Sequence, residues 1–331
     1  MKIIVIATAG KLDFYLEDLG ECIAEAGGHD VQFCALSSMN RRALSTFFLP
    51  PEERRLGALR KLVEKERPDV LFFNSYKLRF DFQEVRRFFH GKIIVLDMEG
   101  PNFAGFHAPD WIRHVNLVIT VSRLSCRILN DQGFKNVVYL PHGVNPSRFF
   151  PTDKSASNSR NERIFIGRPS PHRNQYLEKL MEIGLPVTLY GKKWHDSKQA
   201  PISLAGCAAR RKEDIHGTVL LETIEGADLF VNILQDQFKD LQTLINMQVF
   251  MVSACRTCVL TEYVEEIADA FEPETEISVY RDIGELCEKA LYFHKNPQSA
   301  EKIAVAAYKR VLQDHTLEKR AGALCALLKS S

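Results

Sequence analysis

Short apolar runs alternate with amphipathic stretches along most of the chain. Each run is apolar at nearly every position, which is typical of a strand covered on both faces of a sheet. The intervening stretches repeat apolar residues at helical spacing, as around 13–26 and 51–66. The strands predicted in the first half are KIIVIA, VQFCAL, DVLFFNS, KIIVLD, LVITVS and NVVYLP. The pattern predicts a doubly wound α/β domain with a parallel sheet.

The segment 143–162 interrupts this alternation, and its Pro, Ser and Asn content indicates a linker. The alternation then restarts with the runs RIFIG, PVTLYG, a weaker ISLAG, DLFVNIL and CVLTE. Helices are predicted around 282–294, 297–313 and 315–329. We therefore predict an N-terminal Rossmann-like domain over 1–150, a C-terminal Rossmann-like domain over 151–314, and a C-terminal helix over 315–331. Two such domains can face each other across a cleft, with a ligand at the carboxyl ends of the strands.

The composition restricts the function classes. The chain has 331 residues, of which 45% are hydrophobic, so each half can bury a core. A net charge of +1 argues against a dedicated nucleic-acid-binding protein. No run approaches the roughly 20 apolar residues of a membrane span, and MKIIVIATAG leads into a strand rather than a signal-peptide cleavage site. Eight cysteines without framework spacing predict reduced thiols in a cytoplasmic protein.

Two local features leave alternatives open. Cys255 and Cys258 form a lone CxxC motif without the second pair of a zinc site, so we expect core thiols and no metal. The segment 41–67 is basic and carries aromatic residues, which suits either a peripheral contact with the inner face of a membrane or an ordinary solvated helix face. Its relevant side chains are Phe47, Phe48, Leu49, Arg54, Arg55, Arg60 and Lys61.

Candidate chemistry in the first half follows the predicted strands. Gly10 lies in the loop after the first strand, where a glycine suits either a phosphate or a plain turn. Asp97 and Glu99 come at the carboxyl end of the strand KIIVLD. A carboxylate there could take the proton of an acceptor hydroxyl as a general base, or it could cap a loop.

Candidate chemistry in the second half is mostly cationic. Gly167 and Arg168 follow the strand RIFI, and Arg173 stands at the start of a helix pattern. A cation there can neutralise a diphosphate and stabilise a leaving group, or form a surface ion pair. Gly191, Lys192 and Trp194 close the next strand, with a glycine, a cation and an aromatic ring that could hold a nucleotide or could serve packing and solvation.

The second half resembles the CgeB-like glycosyltransferase group, a branch of the GT-B glycosyltransferases related to family 4. The resemblance rests on stretches in a fixed order and is strongest from about residue 110 onward. Those stretches are RIFIGRPSPHRNQYLEKL, LPVTLYGKKW, EGADLFVNIL, LINMQVFMVSACRTCVLTE, FEPETEISVYRDIGELCEKALYF and a final AGALCALL, preceded more loosely by LVITVS, DQGF and YLPHGVNPSRFFP. The resemblance implies an N-terminal acceptor domain, a C-terminal nucleotide-sugar domain and metal-independent sugar transfer.

One signature of the group departs from its usual form in this chain. The group carries N-M-R-x-F-E and then A-C-G near the nucleotide, and this chain has Gln248, Met251 and Arg256 in place of the arginine, glutamate and glycine. Thr243 stands where related enzymes have another glutamate. Asn246, Phe250 and Glu276 match the group, and Val249 occupies the variable position of the signature; the resemblance places all four near the nucleotide.

The sequence therefore predicts a glycosyltransferase that moves a sugar from a nucleoside diphosphate sugar to a glycan, a lipid-linked glycan or a protein. Arg256 could replace the missing cation from a new position. Two alternatives remain: a non-catalytic GT-B protein that serves as partner or regulator of an active transferase, and a GT-B epimerase or phosphorylase. We expect no other cofactor.

Overall fold

The computed structural model describes residues 1–7, 13–35, 51–74, 80–98, 110–152, 162–194, 215 and 217–330. The chain forms two compact units. The first comprises Met1–Gly143 with Leu317–Ser331, and the second comprises Val144–Thr316. The described strands and helices agree with the predicted alternation, whereas the weak ISLAG strand lies outside the described residues.

The first unit is built on a six-stranded parallel sheet with the order β2-β1-β3-β4-β5-β6. Its central strands are buried along almost their whole length, which explains their continuous apolar sequences. The order reverses direction at β1, as in doubly wound folds. The strands are β1 Lys2–Ala7, β2 Asp30–Ala35, β3 Val70–Asn74, β4 Lys92–Asp97, β5 Leu117–Thr120 and β6 Val137–Tyr139.

The helices of the first unit pack apolar faces onto this sheet. Phe73 and Phe82 meet edge to face with ring centroids 5.0 Å apart. The basic helix α2 buries Arg55 together with Leu59, so part of its cationic side faces the protein rather than solvent or lipid. The helices are α1 Asp13–Gly27, α2 Pro51–Glu66, α3 Phe82–Arg86, a 3-10 helix Asp110–His114 and α4 Arg123–Asp131.

The C-terminal helix α12, Leu317–Ser330, belongs to the first unit and packs along α1. Lys92 Nζ donates to the carbonyl oxygen of Leu328 at 2.6 Å. The guanidinium of Arg320 donates to the carbonyl oxygens of Pro141 and His142. These contacts explain why the last residues of the chain group with its first 143.

The second unit contains a five-stranded parallel sheet with the order β11-β10-β9-β7-β8. Its strands are β7 Arg163–Ile166, β8 Thr188–Tyr190, β9 Leu229–Asn232, β10 Cys258–Glu262 and β11 Ser278–Tyr280. Its helices are α5 Pro171–Glu182, α6 Gly217–Glu225, α7 Asp236–Lys239, α8 Met247–Ala254, α9 Ile267–Ala270, α10 Ile283–Lys295 and α11 Pro297–Asp314. Cys255 and Cys258 are both buried in its core, and burial raises the pKa of the Cys258 thiol.

The division between the units falls at Gly143, before the residue 150 expected from the sequence. The N–H of Val144 donates to the carbonyl oxygen of His315, and Val144 bridges Thr316. Thr152 donates to the carboxylate of Glu225. Residues 144–152 are therefore held by the second unit. In the part of the chain that the structure describes, no helix is long and apolar enough to cross a membrane.

Candidate functional site

Parallel topology brings the chemistry-bearing residues of the second unit to one edge of its sheet. Strands β7, β8, β9 and β10 end there at Ile166, Tyr190, Asn232 and Glu262. Helices α5 and α8 begin at the same edge, because each follows the carboxyl end of a strand. In open α/β sheets this edge is where ligands bind.

Two glycines meet at this edge at very close range. Gly191 has φ +134°, and a methyl group on it would lie 2.1 Å from the carbonyl oxygen of Gly167. The same carbonyl oxygen accepts the indole N–H of Trp194 at 2.9 Å. Trp194 also packs edge to face on Phe165 and is only 2% exposed. The predicted nucleotide-contacting tryptophan is thus a buried residue that fixes the two glycine loops.

Arg173 is a buried cation at the start of α5. Its Nε donates to the carbonyl oxygen of Ile233 at 3.1 Å and its Nη1 donates to that of Arg168 at 3.2 Å. The guanidinium also lies over the ring of Phe165, 5.3 Å from the centroid. Burial lowers the pKa of Arg173 to about 10, against the opposing effect of nearby acidic groups, so the side chain is still charged at neutral pH.

The N-terminus of α8 is held by a chain of side-chain hydrogen bonds. Asn246 is the N-cap, and its Oδ1 accepts the N–H of Val249 at 3.2 Å. Its Nδ2 donates to Oδ1 of Asn232 at 2.6 Å, and Asn232 in turn donates to Oγ1 of Thr261 at 2.8 Å. Gln248, in the first turn, donates to the carbonyl oxygen of Ile166 at 3.2 Å. These bonds fix the start of α8 to the ends of β7, β9 and β10.

His172 and Glu262 add a buried polar pair to the same edge. Nε2 of His172 lies 3.0 Å from both carboxylate oxygens of Glu262. The backbone N–H of His172 donates to Oδ1 of Asp236. Burial favours the protonated form of Asp236, but hydrogen bonds from Ser170 and from that N–H outweigh it and lower the pKa.

Thr243 and Met251, which stand in place of two glutamates of the related enzymes, are both buried. Thr243 donates to Oε1 of Glu266, and the N–H of Leu244 donates to Oε2 of the same carboxylate at 3.3 Å. Gln242 and Leu244 both have positive φ, at 44° and 81°, so this segment is strained. Met251 is 4% exposed within the core, where an ionised glutamate would need a partner.

Two predicted site residues lie elsewhere. Arg256 follows the C-terminal end of α8, at the amino edge of the sheet, and pairs with Glu301. It therefore does not bring a cation to the start of α8. Glu276 precedes β11 and pairs with Arg310 at 3.4 Å, so it too stands on the amino side. We leave both residues out of the candidate site.

The other predicted residues differ in exposure. Val249 and Phe250 are fully buried and can contribute only backbone groups. Arg168 and Lys192 are exposed at the ends of β7 and β8, where a cation can reach a ligand.

Asp97, one of the two carboxylates predicted as a general base, is fully buried in the first unit. Oδ2 of Asp97 accepts the hydroxyl of Thr120 at 2.9 Å, and Asp97 has no exposed surface. This placement indicates a structural acceptor at the ends of β4 and β5 rather than a base that touches an acceptor substrate. Glu99 and Gly10 lie outside the described residues.

Two surface cavities of the second unit, of about 450 and 610 Å³, are not at the carboxyl edge. They share Phe293 of α10, and the first is lined by Leu229 and Cys258, the opening residues of their strands. They therefore lie on the amino side. The converging helix N-termini, close-packed glycines and buried arginine are all at the other edge, and we assign the site there on those grounds.

Five polar residues of this edge were not predicted from the sequence: Asn232, Thr261, Glu262, His172 and Asp236. The signal for the first three was present, because each is a polar residue at the end of an apolar strand. What the sequence did not show was that these polar groups bond to one another and to helices α5 and α8.

Comparisons with known proteins agree with this architecture. Residues 171–326 match the family model described as glycosyl transferase-like. Spore protein CgeB of Bacillus subtilis (strain 168) is 23% identical over 222 residues, which span 63% of this chain and 66% of that protein, just under two thirds of its length.

Solved structures are similar over the whole chain. The sucrose-phosphate synthase from Thermosynechococcus elongatus aligns with a TM-score of 0.72 and 15% identity, over 100% of this chain and 98% of that one. Anabaena HepE, in complex with UDP and glucose, aligns with a TM-score of 0.71 and 13% identity, over 100% of both chains. At such identities these likenesses establish the fold, which is GT-B. The chain therefore has the GT-B fold, and its residues 171–326 are similar to the glycosyl transferase-like family.

Proposed function

We propose that this chain transfers a sugar from a nucleoside diphosphate sugar to an acceptor and that its second unit binds the donor. The observation that carries the proposal is the fixed N-terminus of α8. Asn246 and Gln248 attach it to the ends of β7 and β9, so its first N–H groups keep a fixed direction. Such a terminus favours a phosphate, because the N–H groups have no intrahelical acceptor and the helix dipole is positive there.

Protein cations supply the remaining charge in this proposal, so that no metal ion is required. Arg173 is charged and held in one orientation, which lowers the reorganisation needed when charge develops on a leaving diphosphate. Arg168 and Lys192 are exposed near the same strand ends and can approach the phosphates as the donor binds. The close contact of Gly167 with Gly191 fixes the two strand-end loops beside these cations.

The proposed class of donor is supported by the nucleotides and sugars bound in similar solved structures. HepE has structures in complex with UDP, with UDP-glucose, and with UDP and glucose. A structure of S. aureus TarM holds UDP together with a glycerol-linked sugar. We extend from these only the class of donor, a nucleoside diphosphate sugar.

The acceptor is proposed to bind the first unit and to be a glycan, a lipid-linked glycan or a protein. Asp97 is too buried to serve as the base in the described arrangement, which leaves Glu99 as the carboxylate predicted for that role. Peripheral contact with the inner face of a membrane through 41–67 stays a prediction.

The first experiment is a thermal-shift panel with UDP-glucose, GDP-mannose, dTDP-glucose and ADP-glucose at millimolar concentration. A ligand that binds only the folded protein raises the melting temperature by mass action. The variant Arg173→Lys keeps the charge but loses the two-carbonyl geometry, and it should reduce the shift. Arg163→Lys is the matched control, because Arg163 also donates to a carbonyl oxygen but lies at the start of β7.

Three outcomes separate the candidates. A shift that Arg173→Lys reduces and Arg163→Lys does not, together with release of the nucleotide in the presence of acceptor, supports a transferase. Binding without turnover of any donor would support the non-catalytic alternative. No shift with any member of the panel would contradict the proposed donor site.

A further inference from the structure

His172 and Glu262 are an unusual pair for the edge of a phosphate-binding site. They are 90 positions apart in sequence, and yet Nε2 of His172 lies 3.0 Å from each carboxylate oxygen. Each side chain is only 9% exposed. The carboxylate is further fixed by the N–H of Leu234, which donates to Oε2 at 3.0 Å. The pair is therefore rigid, and it is shielded from solvent screening.

The geometry of this pair is compatible with two charge states. Nε2 of a histidine can donate a hydrogen bond to a carboxylate both in the neutral imidazole and in the imidazolium. The pair as a whole carries one negative charge in the first case and none in the second. Histidine is the side chain that most readily changes charge between pH 5 and 8. One unit of charge can thus appear or vanish here without loss of the hydrogen bond.

The pair lies within electrostatic reach of the cation proposed to bind the donor. Arg173 follows His172 directly on α5, and Glu262 is among the groups that stabilise its charged form. The titratable groups around the pair in the described part of the unit are Arg173 and Tyr176 on α5, Asp236 on α7 and Tyr280 on β11, and Asp282 at the start of α10 acts on Tyr176. With a neutral His172, the pair and these neighbours carry three carboxylates, on Glu262, Asp236 and Asp282, against the guanidinium of Arg173.

Building on the proposed function, we propose that the His172–Glu262 pair takes up a proton when the diphosphate of a nucleotide sugar binds. A diphosphate beside Arg173 makes the protonated pair more favourable than the anionic one. By linkage, the protonated pair must then bind the diphosphate more tightly. Donor affinity consequently rises as the pH falls. His172 and Glu262 act as positioning and charge-setting residues and are not required to touch the transferred sugar.

Isothermal titration calorimetry tests this directly. The probe is the tightest binder among UDP-glucose, GDP-mannose, dTDP-glucose and ADP-glucose, because a sugar-linked diphosphate has no phosphate group that titrates near neutral pH. Titrations at pH 7 in two buffers of different ionisation enthalpy give the number of protons taken up. We expect uptake of a measurable fraction of one proton, and an affinity about threefold to tenfold higher at pH 6 than at pH 8.

The diagnostic variant is His172→Gln, which retains an N–H donor for Glu262 but cannot change charge. It should bind the probe without proton uptake, and its affinity should match that of the unchanged protein at high pH over the whole range. Should this variant fail to fold, Glu262→Gln provides the second test. Its neutral pair should bind with an affinity that varies little with pH and is at least as high as that of the unchanged protein at pH 8.

The matched control is His294→Gln, because His294 is exposed in the same unit and lies at the amino side, where its Nδ1 is 3.2 Å from Arg163. This control should keep the full proton uptake. Binding by the unchanged protein without uptake, or uptake that persists in His172→Gln, would overturn the inference while leaving the proposed function intact. Absence of binding by every nucleotide sugar would remove the proposed function and this inference with it.

Discussion

Gly191 and Gly167 meet so closely that a methyl group on Gly191 would lie 2.1 Å from the carbonyl oxygen of Gly167. The approach ties the end of β8 to the end of β7, where Gly167 N–H also donates to the carbonyl oxygen of Tyr190. Gly191 additionally has φ +134°, a conformation open mainly to glycine. Both the clash and the backbone conformation therefore require glycine at this position.

The first prediction concerns this contact. Gly191→Ala should lower the free energy of unfolding by about 2–4 kcal/mol, since it combines backbone strain with a clash against a backbone atom. Urea unfolding followed by circular dichroism measures the change. Gly184→Ala is the control, because Gly184 has φ +79° but nothing within 4 Å, so it should lose only about 1 kcal/mol. Equal losses in the two variants would contradict the role of the close contact.

The second prediction concerns the N-cap of α8. Asn246→Ala removes both the acceptor for Val249 N–H and the donor to Asn232, and it should cost about 1–2 kcal/mol of stability. Asn246→Ser keeps a capping oxygen and should recover most of that stability without restoring the link to Asn232. If the link orients the helix for the donor, nucleotide affinity stays reduced in both variants. Full recovery of affinity in Asn246→Ser would limit the role of Asn246 to capping.

The third prediction separates Arg256 from the donor site. Arg256 has φ 55°, and its side chain is about half exposed beside Glu301. Arg256→Gly relieves roughly 1 kcal/mol of backbone strain and loses an exposed ion pair worth about 0–1 kcal/mol, so stability should change little. Nucleotide affinity should not change. Glu301→Gln removes the ion pair alone and isolates its contribution. A tenfold loss of affinity in Arg256→Gly would restore Arg256 to the site.

The fourth prediction concerns pH. Burial, followed by the nearby charge of Arg320, lowers the pKa of His142 to about 3. The folded protein therefore holds this histidine neutral, whereas the unfolded chain takes up a proton below about pH 6.5. The resulting stability is complete above that pH and is lost as the pH falls towards 3.

The difference between the pKa of His142 in the folded and in the unfolded protein should make the protein about 2 kcal/mol less stable at pH 5 than at pH 8. Urea unfolding at the two pH values measures it. His142→Asn should reduce the pH dependence by that amount, even if it lowers stability at both pH values. An unchanged slope in the variant would show that other groups produce the acid sensitivity.

The secondary structure and the class of fold follow from the pattern of residues along the chain. Short apolar runs rich in β-branched residues, such as 92–97, favour strands buried on both faces, because continuous apolar surface must be covered from both sides. The helices between them imply right-handed crossovers and parallel sheets. The glycine at position 191 and the arginine at position 173 could also be singled out from their places next to strands.

Which polar side chains form hydrogen bonds with one another depends on the tertiary structure. Asn232 and Asn246, or His172 and Glu262, are brought together by crossovers that local sequence patterns do not encode. Trp194 and Asp97 were predicted as ligand-facing, yet packing buries both, because exposure depends on what covers a strand end. Arg256 lies just beyond the C-terminal end of α8, so the whole length of that helix separates it from the N-terminus where the donor is proposed to bind. The division at Gly143 depends likewise on a hydrogen bond between Val144 and His315, 171 positions further along the chain.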